Sequence, residues 1–208
     1  MIRALFCLAA AAALAACGAD PRFDPQPQVE AARFVVGPPA TITLYTGVND
    51  RNGSGAHSAL LVNGSERVLF DPAGTFEHPK APIQNDVHFG MTNSVVAAFL
   101  DYHARDTEAE KFHVVERTLV VPAETAELIL ARVKANGPVP KAHCAQSISG
   151  ILRGIPGFES LPATYYPIRL GDAFGTLPGV QTRIVTEAND NLGQSNVVFV
   201  DKKGNPLN

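Results

Sequence analysis

Residues 57–71 read HSALLVNGSERVLFD, two β-prone apolar runs joined by Asn63, Gly64 and Ser65. Branched and aromatic side chains suit a pleated, half-buried backbone, and an Asn-Gly pair between such runs is a strong hairpin signal. The pattern predicts antiparallel strands over 57–62 and 66–71. With a three-residue turn at 63–65, Val62 faces Glu66 and His57 faces Asp71. Directly opposed residues hold their Cβ atoms ~4.5–5.5 Å apart on one face. A two-residue turn removes that pairing, because a slip of one residue sends every side chain to the other face. His57 shares its face with Ala59 and Leu61 and so borders the core. Asp71, just before Pro72, also suits the start of a turn.

The rest of the chain extends this strand-rich beginning. Residues 40–47 alternate as a strand, 48–56 form a polar loop, and 72–91 form a long surface loop with Pro, Gly and two histidines. Thr92 or Asn93 caps a helix reaching about Arg105, with Val95, Val96, Phe99 and Tyr102 on one face. A strand follows over 112–121. Pro122 suits the first turn of the next helix, which buries Ala126, Ile129, Leu130 and Val133 and ends at Asn136-Gly137-Pro138. A helix over 143–153 starts beside Cys144, a short helix covers 168–174, and terminal strands cover 180–186 and 196–201. Strands, then helices, then strands predict an α+β domain, an antiparallel sheet with packed helices. Apolar residues make up 46% of the 208, which is enough for a core. The net charge of −3 provides no basic face, so nucleic acid is not an expected partner. The absence of Trp disfavours a sugar platform built on indole rings.

Residues 1–16 are not part of that domain. One basic residue, Arg3, precedes an apolar, Ala-rich run that ends Leu14-Ala15-Ala16-Cys17. The run is too short to span a bilayer and has the form of a secretory signal. Small residues directly before a cysteine look like the bacterial lipoprotein signal, in which that cysteine becomes lipidated. The expected organisation is a signal peptide at 1–16, a lipid-anchored tether at 17–37 and one domain at 38–208. Cys17 carries the membrane anchor. Gly18, in place of an inner-membrane-retaining Asp, favours the periplasmic face of the outer membrane.

The same reading isolates one thiol. Cys7 leaves with the signal and Cys17 is acylated, so Cys144 stands alone in an exported domain, where cysteines usually pair. With no second mature cysteine and no Cys-x-x-Cys, a thiol redox role ranks last. Cys144 is either a small hydrophobe, on one stripe with Ile148, Ile151 and Leu152, or a nucleophile. A nucleophilic thiol must ionise, and a helix start favours the anion. It also needs a base and a group to orient that base. His57 is the candidate base and Asp71 the candidate orienter, with His78 and His88 as alternative orienters. His103 and His113 show no partner pattern, and His143 points about 100° away from Cys144 on a helix. A zinc site from His78, His88 and Cys144 lacks tight ligand spacing.

The order GSGAHSALLV, RVLFDPAG, intervening helices and VPKAHCAQSISGIL resembles the circularly permuted papain-like cysteine hydrolase superfamily. That group contains the lecithin–retinol acyltransferase-like proteins and bacterial cell-wall amidopeptidases. In it the His precedes the Cys, as here. The piece TYYPIRLGDAFGTLPGVQTRIV also resembles exported bacterial members, so the likeness covers roughly residues 40–186. It implies a permuted papain-like fold, with Cys144 as nucleophile, His57 as base and Asp71 as the third member. The implied chemistry is amidase, peptidase or acyl-transfer activity through a thioester, without metal or cofactor. The oxyanion would be held by the Cys144 N–H, with Tyr45 as a candidate second donor. Peptidoglycan and envelope peptides or lipids are the implied partners. The alternative is a non-catalytic envelope-binding lipoprotein of the same fold.

Overall fold

A computed structural model describes residues 19, 21–186 and 198–199; the leader and Cys17 lie outside the described residues. Its strands are β1 (Thr41–Asn49), β2 (Gly55–Asn63), β3 (Arg67–Phe70), β4 (Ile83–Gln84), β5 (Val87–His88), β6 (Phe112–Val120), β7 (Gln181–Val185) and β8 (Val198–Phe199). Its helices are α1 (Gln26–Ala32), α2 (Asn93–His103), α3 (Ala123–Ala135), α4 (Cys144–Leu152) and α5 (Pro167–Gly175). The strands form one sheet in the order β4-β5-β3-β2-β1-β6-β7-β8, with every described pairing antiparallel. The architecture is α+β.

Alternation along the central strands places a core on each face of the sheet. Ile42, Leu44, Leu60, Val62, Val68 and Phe70 meet α3, α4 and α5 on one face. Tyr45, Ala59, Leu61 and Leu69 meet Val95, Phe99 and Leu100 of α2 on the other. Ile148 and Leu152 of α4 are fully buried. Burial of that kind stabilises by roughly 1.5–3 kcal/mol per side chain and ties the Cys144 helix firmly to the sheet. Thr92 caps α2 as expected, accepting from the Val95 N–H at 3.3 Å.

Two expectations are corrected. The hairpin pairs Asn63 with Arg67 and Leu60 with Phe70, so the turn is 64–66 and Asp71 lies beyond the last β3 pair. The register differs from the expected one by two residues, which keeps each side chain on its face. Glu66 is drawn into the turn by an ion pair with Lys134 of α3. Glu127 also accepts from Ser65, from its N–H at 2.5 Å and its hydroxyl at 2.9 Å. The second correction concerns the tether over 17–37. Part of it folds onto the domain: Asp24 exchanges hydrogen bonds of 2.8 and 2.7 Å with Ile83, α1 buries Val29, and the Arg67 N–H donates to the Phe34 carbonyl at 2.8 Å. Pro25 and Pro27 suit a helix start, and seven residues are too few to show a helical period.

Candidate active site

The site forms where the sheet splits. β2 runs nine residues but β3 only four, so residues 55–59 have no β3 partner along that edge. Pro72 cannot donate to a ladder and helps end β3 there. The chain turns at Asp71, whose N–H donates to the Asp86 carbonyl at 2.8 Å and whose carbonyl accepts from the Gly74 N–H at 3.0 Å. This turn tucks the Asp71 carboxylate into the split. A Cβ at Gly74 would stand 2.0 Å from Asp71 Oδ2, so only glycine fits against the carboxylate.

His57 and Asp71 meet across that gap. His57 Nε2 lies 2.5 Å from Asp71 Oδ1, with the imidazole 18% exposed and the carboxylate fully buried. They are diagonal rather than direct cross-strand neighbours, and the turn at Asp71 supplies the remaining reach. Burial disfavours the charge on each. The pairing outweighs it, holding Asp71 well below the usual carboxylate range and pushing His57 up to about 10. His88 is the further neighbour, its Nε2 3.7 Å from Asp71 Oδ2, which is beyond hydrogen-bond length.

Cys144 enters from the opposite side. The approach to α4 is anchored by the Val139 N–H on Asp86 Oδ2 at 2.7 Å, and Ala142 takes a left-handed φ of 65° immediately before the helix. A non-glycine residue held there stores backbone strain. The thiol is coupled electrostatically to His57, and the backbone N–H groups of Ser58 and Ala145 also favour a negative charge on the sulfur. Burial pushes the thiol pKa up; the His57 contact and the two N–H groups outweigh it and set it below the ordinary value. With Nε2 engaged by Asp71, Nδ1 is the ring nitrogen left for sulfur. His143 provides no side-chain cap to α4, so the helix start keeps donors free for an anion. Cys144 is 6% exposed and presents a small reactive surface.

The other candidates fall elsewhere. Tyr45 is a core residue, its ring 5.4 Å from that of Phe99, and its charged neighbours are Glu116, Arg183 and Arg67 rather than the site. The oxyanion role expected of it is therefore corrected: the alternation of β1 turns its ring toward α2. His78 lies against Phe76 and accepts from the Lys80 N–H, which removes it as an orienter. His113 pairs with Asp50. His143 Nδ1 donates to the Lys141 carbonyl at 2.8 Å, and its ring packs edge-on to Tyr165.

His103 was missed as a site residue. It stacks on His57 at 5.4 Å between ring centres and 12° between planes. Its Nδ1 must donate to the Phe99 carbonyl at 2.9 Å, because a carbonyl can only accept. The signal was its i+4 spacing from Phe99 on the buried side of α2. The disfavoured zinc grouping of His78, His88 and Cys144 is not among the converging clusters of the described residues. Among the described residues, the cluster whose ligand atoms converge is His57, Asp71 and His103. A cavity of about 270 Å³ lined by Gly47, His57, Gly74, Tyr102 and His103 opens over this side. Comparison with protein-family models, curated proteins and solved structures finds no match to this chain.

Proposed function

We propose that this chain is a cysteine-dependent acyl-transfer enzyme, an amidase, peptidase or acyltransferase, with Cys144 as nucleophile, His57 as base and Asp71 as orienter. One observation carries the reading: His57 is hydrogen-bonded to the buried Asp71 carboxylate and coupled electrostatically to the Cys144 thiol. The raised His57 and lowered Cys144 favour a resting thiolate–imidazolium pair. The thiolate attacks a substrate carbonyl, forming the C–S bond while the carbonyl electrons move to oxygen. Free N–H groups at the start of α4 receive that oxyanion. As the tetrahedral adduct collapses, the leaving group takes the His57 proton and departs, leaving a thioester. Water or an amine then gives up a proton to His57 and releases the acyl group.

The order His57, Asp71, Cys144 on an antiparallel sheet agrees with a permuted papain-like arrangement, and we place the chain there. Leu14-Ala15-Ala16-Cys17 supports a lipoprotein held at the periplasmic face of the outer membrane, near peptidoglycan, envelope peptides and lipids. Substitution Cys17→Ser is expected to abolish lipid labelling and membrane fractionation. Membrane partition equal to the parent's would remove the anchor.

The resting ion pair is tested by alkylation of the folded protein with iodoacetamide across pH. An ordinary thiol, with a pKa of about 8.5, changes its rate nearly a hundredfold between about pH 6 and 8. Here the lowered thiol is expected to make the rise over that range smaller than that. A tenfold rise per pH unit, or no reaction at all, would favour the non-catalytic binding protein, in which a 6% exposed Cys144 serves only as packing.

A further inference from the structure

The geometry points to a zinc-binding site made by His57, Asp71 and His103, whose occupancy disarms the base of the proposed acyl-transfer site. The metal site stands on its own geometry; the disarming rests on the functional reading above.

The ligand atoms of the three residues all lie within 4.8 Å of one another. Donors around a tetrahedral zinc stand roughly 3.3 Å apart, so on binding the 2.5 Å His57–Asp71 pair opens, the wider gaps close by at most about 1.5 Å, and the near-parallel His57 and His103 rings turn to aim their lone pairs at the ion. Three features prepare the cluster. His103 donates Nδ1–H to the Phe99 carbonyl at 2.9 Å, which leaves Nε2 with a free lone pair. This is the outer hydrogen bond that metal-binding imidazoles characteristically make. Asp71 Oδ2 is buried with no hydrogen-bond partner, so the carboxylate retains unused acceptor capacity. The cavity lined by His57, Gly74 and His103 gives a path in and room for a water as fourth ligand. Two imidazoles, one carboxylate and an open position make a donor set that suits zinc.

The consequence for His57 follows from proton counting. Zinc takes the lone pair of Nε2 and displaces the proton shared with Asp71 Oδ1, which leaves to solvent. The remaining ring proton then sits on Nδ1, facing the sulfur. An imidazole holding zinc on one nitrogen and a proton on the other has no lone pair to accept the proton of water, and it yields its proton to a leaving group less readily than the imidazolium it replaces. The base is lost while Cys144 itself stays unligated.

Calorimetric titration of the metal-free mature chain with zinc chloride tests the site. We expect one zinc per chain, with about one proton released, read from the dependence on buffer ionisation enthalpy. His103→Ala and His103→Gln should each weaken zinc at least tenfold, and the second keeps a polar side chain should the first fail to fold. Cys144→Ser should bind zinc as the parent does. Parent-like affinity in both His103 variants would overturn the site. Loss of binding in Cys144→Ser would overturn it too, by putting the metal on the thiol. In the parent, zinc should also suppress turnover of a small activated ester, with a His103 variant needing at least ten times more metal. Stimulation by zinc would overturn the disarming. The titration needs no substrate, so an inert Cys144 sinks the acyl-transfer reading without touching the metal result.

Discussion

Turnover of a small activated ester is expected to disappear in Cys144→Ala and to fall about 10²–10⁴-fold in His57→Ala. The parent should form a single acyl adduct, on Cys144, visible by mass spectrometry. The double variant should be no worse than Cys144→Ala alone, because nucleophile and base act as a unit and their losses do not add. The expectation follows from the coupling between thiol and imidazole and from Cys144 being a free cysteine. Turnover in Cys144→Ala within a few-fold of the parent would place the chemistry elsewhere.

Asp71→Ala should destabilise the fold by about 3–5 kcal/mol, the cost of leaving one member of a buried pair without its partner. The loss is measurable by urea unfolding, and its pH dependence identifies its origin. Asp71 is held below its ordinary value of 3.8, so its contribution is present above that pH and lost as pH falls toward the folded value. His57 is raised from 6.5 to about 10, so its contribution is full below 6.5 and lost as pH rises through 10. Both describe one interaction. The stability gap between parent and Asp71→Ala should therefore be widest between pH 3.8 and 6.5 and narrow on either side. A gap that does not vary with pH would mean that Asp71 contributes by packing alone. Gly74→Ala is the companion variant: its Cβ would meet the carboxylate at 2.0 Å, so it should lower thiol reactivity without altering any of the three residues.

Much of the fold was legible in local pattern. Alternation marked β1, β-prone apolar runs marked β2 and β6, and Thr92 and Pro122 marked the starts of α2 and α3. Those signals lie within a few residues of what they specify. Short elements were not legible: β4 and β5 have two residues each, and α1 has seven. Their stability comes from partners distant in sequence, as when Asp24 pairs with Ile83.

By itself the sequence determined the candidate residues: a cysteine at a helix start, a strand histidine beside the core, and an acid on the returning strand. Residue type and strand parity are local properties, so a register two residues from the expected one still left His57 and Asp71 on one face. Only the tertiary structure decided how they meet. β3 stops at Phe70 and leaves the edge of β2 open, so a thiol from the helix on one face reaches an imidazole that stacks on a helix of the other. It also decided that His103 lies under His57 and that Tyr45 does not reach the site. Those placements depend on where α2 packs across the sheet. Its 3.6-residue period says which side of the helix is buried, but not which strand residues that side will cover.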